Sequence, residues 1–161
     1  MNDGRFQCGI AAVVYHTETQ TYLLLKRSSK HEVGQEAWEC VTGRVNQGES
    51  FEVALHREVL EELSVMIQLD FIIGTSHFYR GQAQPENELL GVKYACTVAK
   101  REAICISAEH SEFRWLTAND VYNLLSANHW LAQTIRRAEI IRHALPTHLV
   151  EFFRAAGFET N

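Results

Sequence analysis

The sequence predicts an α/β fold in which a mixed β-sheet is sandwiched between helices. Apolar segments rich in Val, Ile and Leu alternate with polar turns through much of the chain, which is typical of strands. Helical periodicity is confined to a few widely separated segments, so the helices are expected to pack on the faces of one sheet. With 161 residues, of which 46% are hydrophobic, the chain is long enough to bury the core of one domain.

Six segments are predicted to form strands. The first is a nearly continuous apolar run, which suits a central position in the sheet, and its hairpin partner follows the turn 16–20. Polar segments at 28–37 and 81–88 are expected to be loops. The predicted strands are 8–15, 21–27, 38–45 ending at Gly43, 65–80 as one long strand or two short ones, 89–99 and 112–116.

Four helices complete the prediction. Ser50 and Thr117 are expected N-caps, because their side-chain oxygens can accept hydrogen bonds from a first helical turn. Pro146 is expected to break the last helical stretch, since proline cannot continue a helix. The predicted helices cover 50–63, 117–127, 130–145 and 147–158.

The last part of the chain is predicted to be a helical extension of a single domain. The domain covers 1–161, with a core at about 5–127 and the extension at about 128–158. Apolar residues recur at helical spacing in the extension. They either pack on the sheet or form the contact of a homodimer.

Composition limits the function. The formal charge of −5 argues against general nucleic-acid binding, which needs a basic face. No apolar run approaches the ~18 residues of a membrane span, and no secretory signal is recognisable. The four cysteines form no CxxC pair, so buried free thiols in a cytoplasmic protein are expected. The predicted partner is a small molecule, not a nucleic acid or a membrane.

Three glutamates crowd together on the first predicted helix. Glu58, Glu61 and Glu62 share one arc, and like charges three and four residues apart destabilise a helix by a few tenths of a kcal/mol. Clustered carboxylates with one basic neighbour suit a hard divalent cation, although the spacing alone also permits a solvated face. The opposite arc is expected to pack on the sheet, and it holds Val53, Leu55, Val59, Leu60 and Leu63.

The segment from Gly43 to Val65 resembles the Nudix box, G-x5-E-x7-R-E-U-x-E-E-x-G-U, in which U is a bulky aliphatic residue. Every fixed position matches except one, where Ser64 replaces glycine. A glycine at that point often adopts the left-handed conformation that closes a helix. Because a serine would pay about 1 kcal/mol there, the turn is expected to close differently or the helix to run on.

The resemblance implies the Nudix fold and a hydrolase that cleaves a phosphoanhydride bond with Mg²⁺ or Mn²⁺. It also implies that Arg57 orients the glutamates through an ion pair with Glu49. The implied metal ligands are Glu58, Glu61, Glu62 and the backbone carbonyl of Gly43.

A further acid lies near the end of the predicted sheet. Glu109 precedes Trp115 by six residues, as does a second-site metal ligand or general base in MutT-type members of the family. A solvated loop acid is the alternative for Glu109. His110 and Glu112 are further candidates for the base.

Substrate choice is expected to depend on residues outside the box. The W-x-x-V-T-G stretch at 38–43 resembles the branch that hydrolyses dihydroneopterin triphosphate and dATP. Trp38 and Tyr79 are candidates to stack on a ring and Arg27 to contact phosphate, with core packing or solubility as the alternatives. The predicted substrate is therefore a nucleoside triphosphate or dihydroneopterin triphosphate. A dinucleoside polyphosphate, a nucleotide sugar or ADP-ribose, or a catalytically silent sensor module, are the alternatives.

Overall fold

The computed structural model describes residues 6–29 and 36–160, which form a mixed seven-stranded sheet with helices on its faces. This confirms the predicted fold class. The strands are β1 Gln7–His16, β2 Thr21–Arg27, β3 Trp38–Glu39, β4 Val41–Arg44, β5 Gln68–Tyr79, β6 Glu88–Thr97 and β7 His110–Leu116. The α-helices are α1 Phe51–Leu63, α2 Ala118–Leu124, α3 Trp130–Ala144 and α4 Thr147–Ala156.

Strand β1 lies at the centre of the sheet, as predicted. It runs parallel to β6 and antiparallel to both β2 and β4. The main path of the sheet is β3-β2-β1-β6-β5, with β7 paired to β2. The long segment before the 3-10 turn Pro85–Asn87 forms one strand, β5, and the predicted loop 28–37 lies largely outside the described residues.

The prediction of one strand at 38–45 is wrong, because the chain changes partner at Cys40. Strand β3 pairs with β2, where Leu25 faces Glu39, and β4 pairs with β1, where Ile10 faces Gly43. One short segment thus delivers residues to two neighbouring parts of the sheet.

The two faces of the sheet have separate cores. Successive residues of a strand point to opposite faces, so Ala12 and Val14 pack on the side of α1 while Val13 packs on the side of α2 and α3. Buried residues of α3, including Leu131 and Ile135, belong to this second core. Helix α3 therefore packs on the sheet.

A buried ion cluster attaches the last two helices to β5. Asp70 has 0% exposure. Its Oδ1 accepts hydrogen bonds from Nε and Nη2 of Arg154 at 2.9 and 2.7 Å, and its Oδ2 accepts one from Nη1 of Arg142 at 3.2 Å. The hydroxyl of Thr97 donates a further bond at 3.2 Å. The charge of Asp70 is thus matched by two guanidinium groups.

The segment after α4 caps the start of α1. The carboxylate of Glu159 accepts hydrogen bonds from the backbone N–H groups of Phe51 and Glu52 at 2.8 and 3.4 Å. In return, the carboxylate of Glu52 accepts bonds from the backbone of Phe158 and, at 3.0 Å, of Glu159. Gly157 has φ +75°, and a Cβ there would lie 2.8 Å from Oε2 of Glu52, so the close approach requires glycine.

Two sequence predictions about burial are wrong. Val53 and Leu60 of α1 are exposed, whereas Glu62 is buried, so the helix is rotated relative to the predicted apolar arc. Cys105 is exposed and lies outside the strands, although a buried thiol was expected. Within the described ranges, no helix is long and apolar enough to cross a membrane.

Candidate active site

Helix α1 carries the candidate site and is closed at both ends by serine. Oγ of Ser50 accepts a hydrogen bond from the backbone of Val53 at 3.3 Å, as predicted for an N-cap. At the other end Ser64 itself adopts the left-handed conformation, with φ 58° and ψ 27°. The expectation that this turn would avoid that conformation is wrong. The backbone bond from Ser64 to the carbonyl of Leu60, at 3.0 Å, helps to offset the strain.

Arg57 braces the acidic side of the helix. Its guanidinium donates to both carboxylate oxygens of Glu49, at 2.6 and 2.9 Å, and to Oε1 of Glu58 at 2.7 Å. It also donates to the carbonyl of Arg44 at 2.9 Å. The hydrogen bond from Arg57 lowers the pKa of Glu49 to about 2. Arg57 therefore holds Glu49 and Glu58 in a fixed relation to β4.

Gly43 lies directly beneath Glu58. A Cβ at residue 43 would stand 2.0 Å from Cδ of Glu58, so any other residue there would force the Glu58 carboxylate out of its place. This close approach brings a carboxylate next to the backbone of β4, where the resemblance placed a ligating carbonyl. The glycine of the motif has a steric reason to be there.

Glu62 is buried in the neighbourhood of other carboxylates. It has 5% exposure, and its Oε2 makes no hydrogen bond within residues 6–29 and 36–160. Burial raises the pKa of Glu62 to about 9, and the nearby carboxylates of Glu109, Glu39 and Glu58 add to the effect. An ionised carboxylate in this position needs a cation to offset its desolvation.

A histidine and a glutamate lie against Glu62. Nε2 of His110 is 3.1 Å from Oε1 of Glu39 and 3.8 Å from Oε2 of Glu62. The same oxygen of Glu39 is 2.9 Å from Nε of Arg27. Sequence reasoning missed Glu39, although a charged residue next to the apolar Cys40 in a strand-like segment was an available signal.

The remaining predicted acids are placed differently from one another. Glu109 follows Ser107 on an exposed turn, its backbone carbonyl accepts a bond from Ser28 at 2.9 Å, and its charge raises the pKa of Glu62. The side chain of Glu61 is 59% exposed and is 3.4 Å from Arg57. Glu58 and Glu109 thus both lie near enough to Glu62 to raise its pKa, while Glu61 projects towards solvent.

Three basic side chains lie close together at the end of the sheet that holds Glu39. Desolvation lowers the pKa of Arg80, and the neighbouring guanidinium groups of Arg44 and Arg27 lower it further. These three residues, which we call the basic edge, come from or follow the ends of β5, β4 and β2. Of these three residues, Arg27 and Arg80 were candidates for phosphate contact from the sequence, with solubility as the alternative.

The two predicted stacking residues are partly occupied. The guanidinium of Arg114 lies over the ring of Trp38 at 4.9 Å, which is a cation–π contact. Tyr79 is exposed near the end of β5 and meets the ring of His77 edge-on at 5.6 Å. To stack on a substrate, Trp38 would have to share or give up its contact with Arg114, and Tyr79 its contact with His77.

The donor set fits a hard divalent cation. In the described part of the chain, no group of three or more His, Cys, Asp or Glu side chains is arranged so that it could hold a metal ion. The unpaired buried oxygen of Glu62 and the carboxylate of Glu58 beside Gly43 are nevertheless oxygen donors with excess negative charge. Oxygen donors of this kind are those that Mg²⁺ and Mn²⁺ prefer.

Comparison with known proteins identifies the family. The model of the NUDIX domain matches residues 5–138. The nucleoside triphosphatase NudI of Salmonella schwarzengrund (strain CVM19633) is 31% identical over 121 residues, which cover 69% of this chain and 85% of that protein.

Solved structures share the fold. The MutT protein from Methanosarcina mazei Go1 superposes with a TM-score of 0.70 at 20% identity, over 91% of this chain and 100% of that one. The E. coli dihydroneopterin triphosphate pyrophosphohydrolase gives a TM-score of 0.64 at 22% identity, over 82% and 95%. At these identities the likeness concerns the fold alone.

The fold and the matched domain define a hydrolase that acts on pyrophosphate bonds. The chain belongs to the NUDIX family. This confirms the family and the enzyme class that the motif predicted.

Proposed function

We propose that this enzyme cleaves a phosphoanhydride bond of a nucleoside triphosphate or dihydroneopterin triphosphate, with Mg²⁺ or Mn²⁺ as cofactor. The observation that carries the proposal is the buried carboxylate of Glu62, unpaired at Oε2 in the described chain and adjacent to Glu58. In its ionised form such a group is costly unless a cation joins it. The proposed ligands are Glu58 and Glu62, with Glu61, Glu109 and the carbonyl of Gly43 as further candidates.

The protein's own residues would prepare the reaction. When bound, the cation would neutralise charge on the phosphate oxygens and activate water. Arg57 keeps Glu58 fixed through its bonds to Glu49 and the β4 backbone. Glu109 is a candidate to accept the proton of the attacking water. A new oxygen–phosphorus bond forms as the bridging bond breaks, which releases pyrophosphate and a monophosphate.

The basic edge supports an anionic substrate. Arg27, Arg44 and Arg80 lie near one another at the end of the sheet that holds Glu39 and Glu62. Guanidinium groups bind phosphate oxygens well, often through two hydrogen bonds. A protein with a formal charge of −5 would thus still receive a triphosphate at this edge. Trp38 and Tyr79 stay candidates to stack on the base or pterin ring.

The relatives support the substrate class. The curated relative is named a nucleoside triphosphatase, and one structural neighbour is a dihydroneopterin triphosphate pyrophosphohydrolase. A cytoplasmic location and a homodimer stay predictions.

A panel of phosphate compounds tests the proposal. The purified protein would be incubated with Mg²⁺ or Mn²⁺ and with dNTPs, NTPs, dihydroneopterin triphosphate, diadenosine tetraphosphate, ADP-ribose and nucleotide sugars, and products would be separated by chromatography. We expect one triphosphate to be preferred and to yield pyrophosphate. Glu62→Gln should lower this turnover about a hundredfold or more, because it removes a charge that supports the transition state.

Other outcomes would contradict parts of the proposal. Preference for a dinucleotide, a sugar nucleotide or ADP-ribose would contradict the substrate class. Full turnover by Glu62→Gln, or turnover that persists with EDTA, would contradict the metal assignment.

A further inference from the structure

Glu62 is approached from two strands by groups outside the matched motif. His110 begins β7, and Glu39 ends β3. The His110 side chain is 2% exposed and that of Glu39 is 13% exposed, so both are nearly removed from solvent. A buried polar pair next to the main candidate ligand needs a physical reason, because an apolar pair would be cheaper to bury.

The surroundings of His110 define its tautomer. Nε2 faces two carboxylate oxygens, one of Glu39 at 3.1 Å and one of Glu62 at 3.8 Å. A bare nitrogen there would repel both oxygens, so Nε2 carries the proton and donates to Glu39. Nδ1 is buried and has no hydrogen-bond partner among the described residues. The ring is therefore held from the Glu39 side.

Glu39 is itself held. Its Oε1 is 2.9 Å from Nε of Arg27 on β2, the strand that pairs with both β3 and β7. Because Arg27 fixes Glu39 and Glu39 fixes His110, the position of the imidazole is defined by three strands. The side of the imidazole that faces Glu62 on α1 is therefore held in one orientation.

The separation between His110 and Glu62 matters. At 3.8 Å, Nε2 is too far from Oε2 of Glu62 for an ordinary hydrogen bond, yet it closes that side of the carboxylate. The oxygen keeps its lone pairs for another partner, while the neighbouring imidazole restricts the rotation of the side chain.

We infer that Glu39 and His110 are positioning residues that hold the Glu62 carboxylate ready for a divalent cation. The inference rests on the proposed metal-dependent function. Neither residue is assigned as a ligand. Outer groups of this kind orient ligands, and their loss commonly costs 10- to 100-fold in metal affinity or activity.

Mn²⁺ binding in the absence of nucleotide gives the main test. The dissociation constant would be measured by electron paramagnetic resonance for the wild type, His110→Leu and Glu39→Leu, with kcat and KM then measured at saturating Mn²⁺. We expect the Leu variants to weaken Mn²⁺ binding about 10- to 100-fold. For His110→Leu we also expect kcat to fall while KM for the triphosphate stays within about threefold, because His110 lies beside Glu39 and Glu62 and is not part of the basic edge. Glu39→Leu also removes the ion pair with Arg27 of the basic edge, so the KM comparison is made with His110→Leu alone.

Conservative variants separate positioning from packing. The amide of His110→Gln can still donate to Glu39, and Glu39→Gln can still accept from His110, so both should bind Mn²⁺ within about threefold of the wild type. The surface pair of His77 and Glu88, at 2.9 Å, offers a matched control, and His77→Leu should leave Mn²⁺ affinity unchanged. If the Leu variants do not fold, the shorter amide of His110→Asn takes their place and should bind Mn²⁺ less tightly than His110→Gln.

The outcomes distinguish the two proposals. Wild-type protein that binds no Mn²⁺ would overturn the proposed function and this inference together. Wild-type binding with equally tight binding by folded His110→Leu, or equal loss in the Leu and Gln variants, would overturn the inference alone.

Discussion

Asp70 on β5 and Glu62 on α1 are both carboxylates removed from solvent, and they differ in what surrounds them. Asp70 receives hydrogen bonds from Arg142, Arg154 and Thr97. Glu62 has further carboxylates nearby and an oxygen with no hydrogen bond in the described chain. Burial alone therefore does not define the role of a charged group.

The difference separates two uses of buried charge. At Asp70 the countercharges belong to the protein, so the cluster is complete and connects α3 and α4 to the sheet. At Glu62 the attraction of Arg27 is outweighed by burial and by the neighbouring carboxylates, and no described side chain donates a hydrogen bond to Oε2, so the site favours either a proton or an added cation. The arrangement at Asp70 stabilises the fold, and the arrangement at Glu62 leaves a carboxylate available to bind a cation.

The largest effect is expected from removing the charge of Asp70. Asp70→Asn would leave two guanidinium groups without their anion, and we expect the free energy of unfolding to fall by about 3 kcal/mol, the lower end for buried pairs because Arg154 is partly exposed. Urea denaturation at neutral pH measures the loss. The exposed pair of Glu112 and Arg114 gives a control, and Glu112→Gln should change stability by less than about 1 kcal/mol. Equal effects of Asp70→Asn and Glu112→Gln would contradict the conclusion that the buried ion cluster stabilises the fold more than an exposed ion pair does.

A pH dependence is expected from Glu62 in the metal-free protein. Because the pKa of Glu62 is raised from 4.5 to about 9, the folded state binds more protons than the unfolded state between these values. The free energy of unfolding should therefore fall as pH rises through this window. We expect a loss of at least about 1.4 kcal/mol, the equivalent of one pKa unit.

Denaturant unfolding across that pH window, with EDTA present, measures the effect. Glu62→Gln cannot ionise, so its profile should be flatter than that of the wild type. Saturating Mg²⁺ should stabilise the wild type at the alkaline end, since the cation binds the ionised form. Identical profiles for the two proteins would show that Glu62 is ionised in the metal-free fold.

A smaller effect is expected where α1 ends. Ser64→Gly should raise the free energy of unfolding by about 0.5 kcal/mol, because relief of the left-handed strain is partly offset by the greater freedom of glycine in the unfolded chain. Thermal denaturation measures this change, and Mn²⁺ affinity should be unaltered. At the other end of the helix, Ser50→Ala should destabilise by about 1 kcal/mol. A loss of stability in Ser64→Gly would show that the serine side chain contributes contacts that outweigh the strain.

The long elements were predictable because each carries a local signal. The apolar run of β1, the caps of α1 and α2, and the break at Pro146 are read from neighbouring residues. The motif likewise brings Arg57, Glu58 and Glu62 together because they lie on one helix. Local spacing is enough for features of this kind.

The rest depends on contacts between distant segments. The two-residue strand β3 has no periodicity to recognise, so Glu39 was missed, and its partners Arg27 and His110 come from β2 and β7. The sheet, not the composition of the helix, decides that Glu62 is buried and Leu60 exposed. Periodicity finds a helix more reliably than it finds which side will meet the core.

The contact between Glu159 and the start of α1 has a consequence for the order of biosynthesis. The two groups that exchange hydrogen bonds are separated by more than 100 positions. A ribosome makes α1 long before it makes the segment that caps it. Until then the backbone N–H groups of Phe51 and Glu52 lack their carboxylate partner and are hydrated or unpaired. The first turn of α1 can therefore reach its final hydrogen bonding only after the segment around residue 159 has been synthesised.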